Sequence, residues 1–193
     1  PEDKQEQILH DLFDQEDGAR FTVGKVPIGP TDFGGPTWYS YAEEPQDSSL
    51  PSFSIEKDLE PEHGFIPFVR RASKVIGKPV RLEATLDYAP HWMLNNSTPL
   101  PEPDMNSTYL AHLATYYLKY SQAMAEHGAP IEYLSLFNEV LESYMFTSYQ
   151  NIRDLLVDHV GPLFRNTAGA PKITWSALPG LQRLLHTVSH IFQ

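Results

Sequence analysis

The sequence predicts an α/β fold built on a parallel sheet or barrel, because short apolar runs alternate along the chain with segments of helical period. Four of these runs have the length and the β-branched or aromatic content of buried strands. They cover residues 21–28, 80–86, 131–137 and 172–177. Polar or aromatic residues lie at or after the end of each run, where a parallel sheet gathers its ligand-binding side chains.

Three segments outside the strands carry apolar residues at helical spacing. The clearest covers residues 107–127 and is stopped by Gly128. A shorter segment at residues 65–76 ends at Gly77, and residues 5–13 form a leading helix before the first strand. This alternation of strand and helix is what predicts parallel rather than antiparallel pairing.

A further helix is predicted between the third and fourth strands. It should begin at Thr147, with Gln150 completing a capping box three residues later. Its apolar face would hold Ile152, Leu155, Leu156 and Val160. Gly161-Pro162 should then break or kink it, because proline removes a helical hydrogen bond.

Composition narrows the class of protein. With 193 residues, 41% hydrophobic and 20% charged, the chain has the profile of one globular domain. A net charge of −11 argues against nucleic acid and anionic membrane surfaces as partners, and no apolar stretch approaches the roughly 20 residues of a membrane span. The chain has no cysteine, its histidines are scattered, and neither a Walker sequence nor a dinucleotide fingerprint follows the first strand. Thiol, metal and nucleotide chemistry are therefore not predicted.

The most informative segment is residues 131–139, where an apolar run ends in an amide followed by a carboxylate. Because strand ends of this kind face the ligand in parallel α/β proteins, Asn138 and Glu139 are candidates for binding and catalysis. Many barrel glycosidases present their general acid beside an asparagine in this way. The other interpretation is a strand that runs into an exposed loop.

The first two strands supply further polar and aromatic candidates. The first is associated with Lys25, Asp32 and Trp38, and the second is followed by Asp87 and Trp92. Carboxylates bind sugar hydroxyls and aromatic rings stack on a pyranose, so their convergence favours a carbohydrate site. The aspartates could instead form turns, and the tryptophans could pack within loops.

Three glycosylation sequons favour the secretory pathway, with a lysosomal or extracellular location. They begin at Asn95, Asn96 and Asn106, within a polar, proline-rich loop. The chain begins with Pro1 rather than with methionine or an apolar leader, so we expect it to be processed or cut from something longer.

Several short motifs, taken in order, resemble glycoside hydrolase family 30, the family of the lysosomal glucosylceramidases. The resemblance covers roughly residues 5–185 and rests on the order and spacing of the motifs together. They are VPIGPTDF (26–33), WYSYA (38–42), FSI (53–55), VRRA (69–72), KPVRL (78–82), APHW (89–92), NE (138–139) and DHVGP (158–162).

The resemblance implies a partial (β/α)8 TIM barrel. Residues 1–193 would form one partial barrel domain with about the first four to five β/α units, and the C-terminal half of the barrel would be absent. A half barrel exposes strand edges and apolar helix surface, so we expect poor solubility in isolation.

The resemblance also implies roles for individual residues. Glu139 matches the general acid/base, and Asn138 matches the amide that contacts the sugar 2-hydroxyl. Asp32 matches a carboxylate that holds outer sugar hydroxyls, and Lys25 falls where the family usually has arginine. Two positions depart from the family: Val140 replaces a common proline, and Asp87 replaces a sugar-contacting tryptophan.

The implied activity is that of a retaining β-glycosidase that hydrolyses glucosylceramide to glucose and ceramide, without a cofactor and with peripheral access to its lipid substrate. The mechanism needs a second carboxylate about 5–5.5 Å from the acid. In the family this nucleophile lies on a later strand, so the chain alone is expected to lack it, with Asp87 as the only internal substitute.

Two alternatives stay open. One is another β-glycosidase of the same clan, acting on a β-glucan, a xylan or a galactolipid. The other is a catalytically inactive partial barrel that binds sugars.

Overall fold

The computed structural model describes residues 2–31, 39–61, 64–95, 105–138 and 148–174. Its helices and strands follow in chain order: α1 (Glu2–Phe13), β1 (Val23–Pro27), α2 (Glu56–Leu59), α3 (Phe65–Ile76), β2 (Arg81–Thr85), α4 (Leu110–Glu126), β3 (Ile131–Ser135), α5 (Tyr149–Asp154), a π-helical segment (Leu155–Val160), α6 (Gly161–Arg165) and β4 (Lys172–Thr174). Short 3-10 turns lie at His91–Met93 and Ser107–Tyr109.

The described strands form one parallel sheet in the order β1-β2-β3-β4. Each strand therefore pairs with the strand that precedes it in the chain, and helices lie in every connection. This order is that of successive β/α units in a (β/α)8 barrel. The predicted α/β fold with parallel pairing is confirmed.

The two faces of the sheet differ in chemistry, because residues in register on neighbouring parallel strands point the same way. One register row, which we call the apolar face, consists of Val26, Ala84, Leu134 and Ile173. The first three are buried and belong to the hydrophobic core. The next row defines the polar face and consists of Lys25, Glu83, Tyr133 and Lys172.

The strands are shorter than the apolar runs that predict them. Phe21 lies before β1, its amide donates to the carbonyl of Leu12 at 3.0 Å, and its side chain is 52% exposed. At the other end of the chain, β4 stops at Thr174, and the rest of the predicted run lies outside the described residues.

The helical run between β3 and β4 differs from its prediction in two ways. Ser148 caps α5 by accepting from the amide of Asn151, and Gln150 donates to Asp154 instead of closing a capping box; Thr147 lies outside the described residues.

The predicted break at Gly161-Pro162 was wrong, because the backbone stays helical from Val160 into α6, whereas the alternative of a kink there stays a prediction. The π-helical segment ends directly before these residues, and the Gly161 amide donates to the carbonyl of Leu156, five residues back, so the hydrogen-bond spacing changes just before Pro162.

Among the residues that the structure describes, no helix has both the length and the apolar character that a membrane crossing would require.

Candidate functional site

Lys25 and Asn138 meet on the polar face of the sheet. The Lys25 ammonium donates to the Asn138 side-chain oxygen at 3.0 Å, although β2 lies between β1, which carries Lys25, and β3, which Asn138 follows. The Asn138 amide also donates to the carbonyl of Leu86 at 2.8 Å, which ties the chain after β3 to the chain after β2. Because the side-chain oxygen of Asn138 accepts from Lys25, the NH2 group is the part of this side chain that can donate a hydrogen bond.

Asp87 lies two residues beyond the last residue of β2. It is 8% exposed and engaged in interactions with its surroundings. A carboxylate at this end of a parallel strand is suited to bind a sugar hydroxyl. Its role in binding stays a prediction.

Trp92 joins the loops that follow β1 and β2. Its indole N–H donates to the carbonyl of Ala42 at 2.8 Å. The rings of Tyr109 and His112 meet it edge-on, with centroids at 5.3 and 5.7 Å. These contacts support packing within the loops; a stacking role toward a sugar stays a prediction.

Four predicted site residues lie outside the described part of the chain: Asp32, Trp38, Asn96 and Glu139. The predicted glycosylation sites on either side of Asn96 are described. Asn95 is exposed, whereas the Asn106 side chain is partly buried and accepts from the amide of Thr108 at 2.9 Å.

A buried cluster of tyrosines and one carboxylate lies behind the end of β1. The Tyr41 hydroxyl donates to Asp58 at 2.5 Å and accepts from the amide of Gly29 at 3.0 Å. Its ring stacks on those of Tyr116 and Tyr120, with centroids at 5.8 and 5.4 Å. Gly29 has a φ of +82°, a left-handed conformation that favours glycine.

Asp58 is the buried carboxylate of this cluster, with 2% of its surface exposed. Burial raises its pKa to about 6, against the opposing effect of hydrogen bonds from Tyr41 and Tyr39. Burial and the nearby Asp58 charge raise the pKa of Tyr39 to about 12. The sequence gives no signal for Asp58, because it sits in a four-residue helix without a motif.

The N-terminal half of the polar face holds a separate ion pair. Arg81 donates to both carboxylate oxygens of Glu132, at 2.6 and 3.0 Å, and also to the Tyr133 hydroxyl at 3.0 Å. The hydrogen bond from Arg81 lowers the pKa of Glu132 to about 2. This end of a barrel serves stability, while the opposite end serves chemistry.

No group of three or more histidine or acidic side chains that could hold a metal ion occurs within the described ranges.

Comparisons with known proteins agree on one family. The sequence profile of the glycosyl hydrolase family 30 TIM-barrel domain matches residues 1–173. The lysosomal acid glucosylceramidase of Mus musculus is 25% identical over 183 residues, which cover 88% of this chain and 34% of that protein. The endo-1,6-β-D-glucanase BGN16.3 of Trichoderma harzianum is 28% identical over 177 residues, which cover 81% of this chain and 35% of that protein.

A solved structure shows the same fold. An endo-β1,6-glucanase superimposes with a TM-score of 0.76 at 22% identity, over 91% of this chain and 39% of the glucanase. The chain spans between 26% and 35% of the length of five curated relatives that it matches. The profile match over most of the chain and the parallel β/α order agree with each other. The chain belongs to glycosyl hydrolase family 30 and carries part of its TIM-barrel domain.

Proposed function

We propose that this chain supplies the acid/base half of a retaining β-glycosidase site that acts on glucosylceramide. The observation that carries the proposal is the hydrogen bond between Lys25 and Asn138, which brings two predicted sugar-site residues together from separate strands. The mouse relative, a lysosomal acid glucosylceramidase, supports this choice of substrate.

In this proposal Glu139 protonates the glycosidic oxygen as the bond to the aglycone breaks. After the covalent glycosyl-enzyme has formed, the same carboxylate removes a proton from the attacking water. Asn138, held by Lys25 and Leu86, donates to the sugar 2-hydroxyl, a hydrogen bond that strengthens in the transition state. Asp32 binds outer hydroxyls of the same sugar.

The nucleophile in this proposal is a second carboxylate on a later strand of the complete barrel. It would lie about 5–5.5 Å from Glu139, the separation that retention requires. Asp87 is the competing candidate within the chain, because it is a buried carboxylate just past β2.

A second candidate is hydrolysis of a β-glucan. It is favoured by Asp87, a polar group where the family usually has tryptophan, and by the Trichoderma harzianum relative, an endo-1,6-β-D-glucanase. A carboxylate there suits the hydroxyls of a second sugar better than the chain of a lipid.

The test compares Glu139→Gln with wild type in a polypeptide that continues beyond residue 193 through the rest of the barrel. Glutamine keeps the size of the side chain but cannot transfer the proton, which contributes typically 10²–10⁴-fold. We expect the largest loss on glucosylceramide and a smaller loss in glycosylation by dinitrophenyl β-glucoside, whose phenol leaves without help. Azide should restore turnover and give a β-glycosyl azide. Glu126→Gln, at the exposed end of α4, is the matched control.

The outcomes separate the alternatives. Wild-type rates for Glu139→Gln on glucosylceramide would refute the acid/base assignment. Faster hydrolysis of a β-1,6-linked glucose disaccharide than of glucosylceramide would favour the glucanase. Turnover by residues 1–193 alone, lost in Asp87→Asn, would make Asp87 the nucleophile. Sugar binding by the complete protein without turnover would indicate the inactive, sugar-binding alternative.

We also propose that the protein passes through the secretory pathway and is glycosylated at its sequons. Exposed Asn95 supports this, together with the lysosomal location in the name of the mouse relative. Loss of mass on treatment with an amide-cleaving glycosidase, absent from a variant that combines Asn95→Gln, Asn96→Gln and Asn106→Gln, would support it.

A further inference from the structure

We propose that the tyrosine row of α4, defined as Tyr116, Tyr117 and Tyr120, positions the backbone from which the site residues extend. Its hydroxyls would act as positioning groups for the ends of β1 and β3 rather than as filling for the core. The inference rests on the proposed function, because it concerns the geometry of that same site.

Each hydroxyl of the row is bonded to the main chain, and two of the three bonds lie near a strand end. Tyr117 donates to the carbonyl of Leu136 at 2.5 Å, just after β3. Tyr120 donates to the carbonyl of Pro27, the last residue of β1, at 3.1 Å. Tyr116 accepts from the amide of Tyr41 at 3.1 Å.

Because the three tyrosines are buried, each of their hydroxyls needs a hydrogen-bond partner within the protein. All three tyrosines of the row are fully buried, and a buried hydroxyl without a partner is costly, whereas phenylalanine would fill nearly the same volume without that requirement. Burial also raises the pKa of each hydroxyl, so the protons of Tyr117 and Tyr120 stay in place as donors. The row therefore specifies where the backbone must lie.

The bonded atoms lie close in sequence to the predicted site residues. Leu136 precedes Asn138 by two residues, so Tyr117 adds to the bonds that Lys25 and Leu86 make with Asn138.

At the end of β1 and in the chain beyond it, the row bonds to residues on both sides of the segment that contains Asp32. Tyr120 fixes Pro27 before that segment, and Tyr116 fixes Tyr41 after it. Helix α4 therefore fixes the chain around the end of β1 relative to the chain after β3, which a rigid element can do better than loops.

The experiment measures kcat and KM for an aryl β-glucoside in the longer polypeptide described above, carrying Tyr117→Phe or Tyr120→Phe. A misplacement of about 1 Å can cost about 10²-fold. We therefore expect Tyr117→Phe to lower kcat by about 10- to 100-fold with little change in KM, since it acts on the turn before Glu139. Tyr120→Phe should mainly raise KM, since it acts on the chain before Asp32. The control Tyr133→Phe removes a hydroxyl that is bonded to Arg81, the first residue of β2.

A merely structural role gives a different result. Lower melting temperatures with unchanged kcat and KM in both variants would overturn the inference, as would equal changes in the Tyr133→Phe control. Hydrogen exchange provides a readout that does not need turnover. Tyr117→Phe should speed exchange at Asn138, whose amide is bonded to Leu86, and Tyr120→Phe should speed it at Gly29.

These readouts also separate the two proposals. If wild type neither hydrolyses nor binds glycosides, the proposed function fails while the exchange data still test the positioning. If wild type is active and the exchange rates and kinetics are unchanged in both variants, the positioning fails alone.

Discussion

Asp58→Asn should change how the stability of the protein depends on pH. The substitution removes the Asp58 carboxyl, whose pKa burial raises into the mildly acidic range. The wild-type carboxylate is enclosed by Tyr39 and Tyr41 and is 2% exposed. None of the ion pairs within the described residues includes Asp58. Asparagine keeps the shape and can accept from the Tyr41 hydroxyl, but it carries no charge at any pH.

The magnitude follows from the pKa of Asp58, which is about 6 in the folded protein and 3.8 in the reference state. Between these values the folded protein binds more protons than the unfolded chain, so the free energy of unfolding falls as pH rises. A difference of roughly two pKa units corresponds to about 3 kcal/mol. The stabilisation that comes from the neutral Asp58 carboxyl is fully present below about pH 4 and is lost as pH rises through about 6.

Other ionisable groups face the same cluster, so the comparison must be differential. Glu43, Glu60 and Tyr39 contribute charge effects within it, and Lys57 lies over the Tyr39 ring at 4.5 Å. Their contributions are largely shared by wild type and Asp58→Asn and cancel in the difference between the two proteins.

The assay is urea denaturation of both proteins at about pH 4 and about pH 7, followed by tryptophan fluorescence. The stability of Asp58→Asn relative to wild type should increase by about 2.4 kcal/mol from the lower to the higher pH, because the unfolded carboxyl is already partly ionised at about pH 4. A carboxyl-carbon NMR titration of Asp58 gives the pKa directly. A stability difference that is constant with pH, or an Asp58 pKa near 4, would refute the reasoning.

Two further predictions concern the site and its backbone. Lys25→Met should lower kcat/KM by about tenfold, about 1.4 kcal/mol, because the Asn138 side chain loses its charged hydrogen-bond donor. Lys25→Arg keeps a charged donor and should retain most of the rate. Equal losses in both variants would argue against the role of this hydrogen bond. Gly29→Ala should lower both stability, by about 1 kcal/mol, and glycosidase activity, because alanine disfavours a φ of +82°. Gly77 has a φ of +79° at the end of α3, so Gly77→Ala is the matched control and should lower stability without lowering activity. An equal loss of activity in Gly77→Ala would indicate a general effect of unfolding.

The positions of the strands could be predicted from sequence because each one is a compact apolar run between turn residues. The same reasoning located Asn138 beyond β3, where it does contact Lys25. Both results depend on patterns that are local in the chain, and the parallel order follows from the alternation of strands with helices.

The tyrosine cluster and the helix after β3 could not be predicted in the same way. Asp58 acquires its role from Tyr41, and Tyr117 from Leu136, through contacts that no local pattern encodes. At Gly161-Pro162 the sequence rule for a helix break was overridden, because the π-helical turn directly before the proline changes the hydrogen-bond spacing while the backbone stays helical.

The strictly sequential order of the sheet has a consequence for synthesis of the protein. Each described strand pairs with the one translated immediately before it, and none is inserted later between two earlier neighbours. The β1–β2 ladder and its connecting helix α3 can therefore form as soon as β2 leaves the ribosome, since N-terminal segments emerge first. Each later strand can then pair with a strand that has already formed, so the sheet grows in the direction of translation.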